Sequence, residues 1–244
     1  MKKLILILAS IILLLGIAGF VFWAENSLGP MPEAEAAMQS SEQVQVTEGE
    51  WIAFQPAAGN PSTGLIIYPG GRVDPVSYAP IAQQIASQGY LVIIVPMPLN
   101  LAFLGSNRAA DVMAAYPEID HWVIAGHSLG GSMAASFSYS HPQEMDGLVL
   151  WASYPANNQD LSSQELEVSS IYASNDGLVS QSDISSSQSR LPADANFVNI
   201  EGGNHGQFGW YGEQPGDGVA AISRQEQQDQ TAAETLRLLE SISK

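Results

Sequence analysis

The sequence predicts an α/β fold: a doubly wound, mostly parallel sheet without a lid domain, preceded by an N-terminal transmembrane helix. Three observations carry this. Short apolar runs recur along the chain, among them GLIIYP (64–69), LVIIVP (91–96), HWVIAG (121–126) and GLVLWA (147–152). Stretches with helical spacing of apolar residues separate them. A strand that is apolar throughout must be covered on both faces, which is the situation of a parallel strand between helical layers. Finally, residues 4–23 form twenty uncharged residues behind Lys2 and Lys3.

That first run sets the domain plan. A helix of twenty residues rises about 30 Å, the thickness of a bilayer core. Two lysines before it and Glu25 after it keep its start in the cytoplasm and everything downstream outside. Residues 1–23 therefore read as a signal-anchor in a single-pass protein. A cleaved signal peptide, giving a secreted product, is the competing reading. Its apolar region should be about 7–15 residues, and the small-x-small site Ala34-Glu35-Ala36 lies well past the run. Residues 24–41, rich in Pro, Ala, Glu and Ser, read as a spacer, and 42–244 as one domain with no internal repeat.

Within that domain, 44–54 alternates around Glu48-Gly49, as a hairpin does. The strand 64–69 follows. Tyr78, Ile81 and Ile85 give 77–88 a helical spacing, closed by Gly89. A strand at 91–96, a helix at 107–116 and a strand at 121–126 come next. A helix at 128–140 is stopped by Pro142. Further strands fall at 147–152, 168–173 and 197–200, and Ala232, Leu236 and Leu239 mark a final helix.

Composition excludes several functions. Of 244 residues, 25 are acidic and only 8 basic, a formal net charge of −17. Acids are near their usual share of a protein, so the imbalance comes from missing Lys and Arg. Six of the eight bases and all twenty-five acids lie from Ala24 onward, which leaves that part at −19. Nucleic acid is not a partner, because its phosphates demand a basic stripe. The chain has no cysteine, so disulfides, thiolate metal sites, a cysteine nucleophile and a lipoprotein anchor are all excluded. No P-loop, H-E-x-x-H or cluster of metal ligands occurs, so no cofactor or metal is implied.

The chemistry concentrates where the strand 121–126 runs into Gly126-His127-Ser128-Leu129-Gly130. In a G-x-S-x-G elbow the serine sits on a strained strand-to-helix turn that lifts its hydroxyl above the sheet, and crowding demands small residues two positions either side. The hydroxyl needs a base. Of four histidines, His127 adjoins the serine, where its side chain should point away from the attack site, His121 begins a strand and His141 ends a helix. His205, in Gly202-Gly203-Asn204-His205-Gly206 just past the strand 197–200, lies where sites of parallel sheets assemble. The orienting acid should follow another strand between these two, and Asp176 in Ser174-Asn175-Asp176-Gly177 does so. Asp146 is at the wrong strand end, while Asp160 and Asp183 lie in Ser/Gln-rich surface stretches. The oxyanion donors expected are the N–H of Leu129 and that of Gly71, in the loop Tyr68-Pro69-Gly70-Gly71-Arg72.

GHSLGG, the NDG acid loop and the GGNHGQF loop, in this order, resemble the α/β-hydrolase superfamily over residues 42–242, and more narrowly its small, capless bacterial members related to dienelactone hydrolase. The resemblance implies a Ser-His-Asp hydrolase acting mostly on carboxylic esters. Two departures stand out. Dienelactone hydrolases proper have a cysteine at the elbow, here Ser128, and many relatives have His-Gly where this chain has Pro69-Gly70. Lids in this architecture commonly enter after the strand that ends at Ala152, and the fifteen residues 153–167 are too few to build one.

The expected protein is thus an extracytoplasmic serine hydrolase of small or short-acyl, neutral esters, working through an acyl-enzyme. The same triad would serve an amidase or peptidase, and the fold could also scaffold a non-catalytic surface binding protein. Near the site, Arg72 is a candidate for binding a substrate carboxylate or, more plainly, for pairing with Asp74. Gln207, Phe208 and Trp210, with Tyr211, are candidates to line a substrate pocket or to pin the glycine-rich stretch 206–218. Phe103, Trp151 and Tyr154 are candidates of the same kind, with more weight on packing.

Overall fold

A computed structural model describes residues 2–243. Its centre is an eight-stranded sheet: β1 (Val44–Glu48), β2 (Ile52–Pro56), β3 (Thr63–Tyr68), β4 (Leu91–Ile94), β5 (His121–His127), β6 (Gly147–Trp151), β7 (Glu167–Ala173) and β8 (Asn196–Ile200). The spatial order is β1-β2-β4-β3-β5-β6-β7-β8. The first two strands form the expected hairpin and join the sheet antiparallel through β2 and β4, and all other pairs are parallel.

Alternation along each strand sorts the core into two layers. Leu65, Ile67, Val92, Ile94, Val123 and Val149 face one way, where α3 (Ala79–Ala86) and α7 (Arg224–Ile242) cover them. Ile66, Tyr68, Ile93, Ile124, Leu148 and Leu150 face the other, under α4 (Arg108–Ala115) and α5 (Leu129–Ser140). Apolar runs without polar alternation are what this two-sided burial requires. Gly89 takes φ +100 beyond α3, the left-handed stop that glycine makes without strain. Of the residues expected to mark the last helix, Ala232 and Leu239 are buried and Leu236 is half-buried.

Three features depart from expectation. The helix α6 (Gln181–Ser187) lies in the Ser/Gln-rich stretch read as surface loop. It is held by a capping box in which Ser180 and Asp183 satisfy each other's backbone N–H groups, and only Ile184 and Ser187 are buried. An almost wholly polar helix leaves no apolar periodicity to read. The segment 24–41, expected as a spacer with a helical turn near Glu33–Met38, packs onto the domain. Leu28 bridges Val73, Pro30 bridges Tyr211, and α2 (Pro32–Ala36) buries Ala34. Strand β5 runs one residue further than expected and takes in His127, which is fully buried.

The N-terminal run forms α1 (Lys2–Glu25), long and apolar enough to cross a membrane. Its large apolar side chains from Ile5 to Trp23 are exposed and belong to neither core layer. Between β6 and β7 there are only turns and bends, so no lid domain enters there.

Candidate active site

Strand polarity brings the site together. β3, β5, β7 and β8 are parallel, so the segments that leave their C-terminal ends share one edge of the sheet. Those segments carry Gly70–Arg72, Ser128, Asp176 and His205.

Ser128 has φ 53 and ψ −120, a conformation that a residue with a side chain adopts only under constraint. The constraint is packing of β5 against the first turn of α5. A Cβ placed on Gly126 would lie 2.5 Å from backbone atoms of Gly130, and one on Gly130 would strike the carbonyls of Tyr68 and Pro69. Ser153 Oγ donates to the Ser128 carbonyl at 2.7 Å and holds the turn from the β6 side. Leu129 opens α5, so its N–H is one of the unsatisfied donors of a helix start.

Asp176 and His205 meet at 2.8 Å through Oδ2 and Nδ1, and both side chains are 1% exposed. The other carboxylate oxygen of Asp176 accepts from the N–H groups of Leu178, at 2.8 Å, and Val179, at 2.7 Å. The carboxylate is thereby fixed in plane, with His205 Nδ1–H facing it. His205 Nε2 is left buried without a partner, its lone pair available to accept a proton.

The loop after β3 presents three successive amides. Gly70 N–H donates to Tyr78 OH at 2.9 Å and Arg72 N–H to Asn100 O at 2.7 Å. Gly71 N–H, between them, makes no hydrogen bond among the described residues. A Cβ on Gly71 would come within 3.0 Å of the Leu129 side chain, so the two expected donor loops are in contact.

Sequence reasoning missed what lies beneath. The Tyr78 hydroxyl, already an acceptor for Gly70, is 2.8 Å from His127 Nδ1. Burial raises the phenol's pKa, so it stays protonated and donates to that nitrogen. Burial, with the His205 ring beside it, holds His127 well below the ordinary histidine value, so it is neutral. Its side chain is buried within the site: its ring centre is 4.6 Å from that of His205. Thus Gly70, Tyr78 and His127 form a relay that orders the donor loop from below. Tyr78 had offered only an apolar helical spacing.

The second missed residue is Asp217. Its Oδ1 accepts from the N–H groups of Gly177 (3.1 Å), His205 (3.1 Å) and Gly218 (2.7 Å), and its Oδ2 from Gly206 (2.7 Å). One carboxylate clasps the acid loop to the histidine loop. Buried Gln227 of α7 adds a two-way grip on Asn204, accepting from its N–H at 2.9 Å and donating to its carbonyl at 2.7 Å. Gly216-Asp217-Gly218 reads in sequence only as a turn.

The four residues expected to contact substrate are engaged elsewhere. Arg72 neither pairs with Asp74 nor points at the serine. Its guanidinium lies 4.4 Å from the Trp23 ring centre and donates to the Asn26 carbonyl at 2.5 Å, while Asp74 caps the turn after it. Gln207 donates to Ile222 O at 3.3 Å. Phe208 is fully buried against His127. Trp210 is buried beneath Arg224, whose guanidinium also donates to the carbonyls of Gly206 and Gly209. Gln207, Phe208 and Trp210 help pin the stretch after His205, whose own regular structure is a single short turn of helix at Gly206–Phe208.

The sheet order, the strained serine after β5 and the buried Asp–His pair at the ends of β7 and β8 define the α/β-hydrolase class. The chain belongs to the alpha/beta hydrolase family, whose model matches residues 64–229. No curated protein sequence matches it. Among solved structures it is similar to a predicted CIB-like hydrolase from Thermoplasma acidophilum, with a TM-score of 0.60 and 15% identity over 80% of this chain and 97% of that one. A cold-adapted esterase from an Arctic intertidal metagenomic library gives 0.59 and 15% over 82% and 96%. The thermophilic esterase Est2 from the Planctomycetes species Thermogutta terrifontis gives 0.56 and 14% over 80% and 91%.

Proposed function

We propose that the protein is a membrane-anchored, extracytoplasmic serine hydrolase that cleaves neutral carboxylic esters with a Ser128-His205-Asp176 triad. The observation that carries this reading is the buried 2.8 Å Asp176–His205 pair with Nε2 unpartnered, on the sheet edge that also bears the strained Ser128. Within the family the chain sits best among the small capless members related to dienelactone hydrolase, with serine as nucleophile. Two of the structurally similar proteins are named as esterases.

In this reading Ser128 Oγ attacks the ester carbonyl as its proton passes to His205 Nε2. Asp176 holds the imidazole tautomer and stabilises the imidazolium. The N–H groups of Gly71 and Leu129 bind the oxyanion. The imidazolium then gives its proton to the leaving alcohol, and water, deprotonated by the same nitrogen, hydrolyses the acyl-enzyme. Long contacts between serine and base tighten as the substrate binds.

A fluorophosphonate probe should label the folded wild-type chain and leave Ser128→Ala unlabelled. Wild-type protein that resists the probe would sink the catalytic reading. A p-nitrophenyl ester series should show a preference for short acyl groups, as a lidless site with no acyl tunnel of its own predicts.

A further inference from the structure

We propose that the catalytic edge of the sheet rests on the membrane surface, so that the enzyme takes esters from neutral or zwitterionic amphiphiles lying in that surface. This rests on the reading of α1 as an anchor and of Ser128 as an esterase nucleophile, and it adds where the substrate comes from.

The anchor and the site share a loop. Trp23, in the last turn of α1, lies under the Arg72 guanidinium, which also holds the Asn26 carbonyl. Beyond the helix, Leu28 N–H donates to Arg72 O at 2.7 Å, and Asp74 N–H to Leu28 O at 3.0 Å. Arg72 directly follows Gly71, which touches Leu129, the neighbour of the nucleophile. The rest of α1 packs on neither core layer, so the helix leaves the domain from the oxyanion loop. The strands that carry Ser128, Asp176 and His205 all end on this side, so the edge nearest the anchor is the catalytic one.

The distribution of exposed apolar side chains points the same way independently. Outside α1, five large apolar residues are exposed among the described residues. Four lie in loops beyond the C-terminal ends of the strands: Phe103 (50%) and Leu104 (45%) after β4, Leu178 (41%) two residues past Asp176, and Val219 (89%) two past the clasp residue Asp217. Only Tyr139 (43%) is at the other end, near the close of α5. A tryptophan and an arginine at the helix end, continuous with a rim of apolar loop tips, suit the headgroup layer. The bilayer would supply the cover that a lidless site lacks. The net charge of −19 from Ala24 onward opposes anionic lipid and selects neutral or zwitterionic surfaces.

The absence of cysteine makes the test direct. Single-cysteine variants Phe103→Cys, Val219→Cys and Tyr139→Cys of the full chain, labelled with a nitrobenzoxadiazole fluorophore, would be reconstituted in phosphatidylcholine vesicles. Labels at 103 and 219 should shift to the blue and be quenched by brominated phosphatidylcholine, while the label at 139 stays aqueous. Equal aqueous emission at all three positions overturns the proposal, as does a mature chain isolated from cells without α1. In the same vesicles, Leu104→Asp combined with Val219→Asp should lower acetate release from vesicle-partitioned dodecyl acetate about tenfold, the effect expected from losing two apolar surface contacts, and leave soluble p-nitrophenyl acetate unchanged. An equal effect on both esters, or none on either, overturns the substrate assignment. Failure of wild-type protein to cleave p-nitrophenyl acetate would count against the esterase reading itself, which the fluorescence does not depend on.

Discussion

At Asp176 a single carboxylate holds one imidazole nitrogen and two backbone amides, so its position and its plane are both set before substrate arrives. Asp176→Asn would keep the shape and present the wrong hydrogen-bonding partner to His205 Nδ1. It should cost about 10⁴ in kcat on a short ester, the loss known for such a change in another serine hydrolase, with little change in melting temperature. Tyr78 acts at one remove. Tyr78→Phe strands both the Gly70 N–H and His127 Nδ1 in a buried place. Each loss is worth about 1–3 kcal/mol, so the variant should be less stable and its kcat should fall more than its KM rises. His127 makes a pH prediction. Its value lies well below 6.5 in the folded state and returns to about 6.5 on unfolding. The unfolded chain therefore binds the extra proton in acid, and stability is lost as pH falls below about 6.5. Between pH 7.5 and 5.5 this one group removes up to about 1.4 kcal/mol. Urea melts at the two pH values should show a slope that His127→Gln reduces.

Loops held by other elements decide how well those residues are placed. The histidine loop has little structure of its own and is gripped by Asp217 from below and by Gln227 and Arg224 from α7. Asp217→Asn would replace one accepting oxygen by a donor that faces backbone N–H groups. The acid and histidine loops should then part, lowering kcat/KM for p-nitrophenyl acetate by roughly 10–100-fold, the scale of a displacement of about 1 Å in a catalytic group. Unchanged kinetics would show that Gln227 and Arg224 suffice. The same division explains what could be read from sequence. Buried parallel strands show in sequence as short unbroken apolar runs and amphipathic helices as a period of 3.6, so the central strands and helices such as α3 and α7 were legible. The elbow was legible because backbone crowding forbids side chains at Gly126 and Gly130. α6 was not, since a polar helix fixed by its cap has no apolar stripe. Tyr78, His127 and Asp217 were not either, because their roles come from contacts across 49, 8 or 40 residues of chain, and no local pattern encodes such pairings.

For the whole molecule, the order of attachment matters: α1 stands apart, while the segment after it is part of the domain. Leu28 is bonded on both sides to the loop of Arg72 and Asp74, Met31 N–H donates to Trp210 O at 2.9 Å, and Ala34 and Ala37 are buried. Cleavage at Ala34-Glu35-Ala36 would therefore cut a helix that packs on the domain, not a free linker. The consequence is measurable with two shortened chains. One lacking residues 1–26 loses the exposed helix, the buried Ala24, the packing of α1 beside Pro98–Asn100 and the contacts of Arg72 with Trp23 and Asn26, and should still stay folded and hydrolyse p-nitrophenyl acetate. One lacking residues 1–41 also loses four backbone hydrogen bonds, those of Leu28 with Arg72 and Asp74, Met31 with Trp210 and Ser41 with Val44, and the burial of Ala34 and Ala37. At about 1 kcal/mol per bond, with a further contribution from apolar area, it should be less stable by at least about 4 kcal/mol. It also removes the bridge of Pro30 to Tyr211 and frees Trp210, in the stretch that follows His205, so its activity should fall with its stability. Urea unfolding of the two chains under the same conditions decides the point. Coincident midpoints would mean that residues 27–41 are a spacer after all, and that a signal peptidase could remove them without cost to the fold.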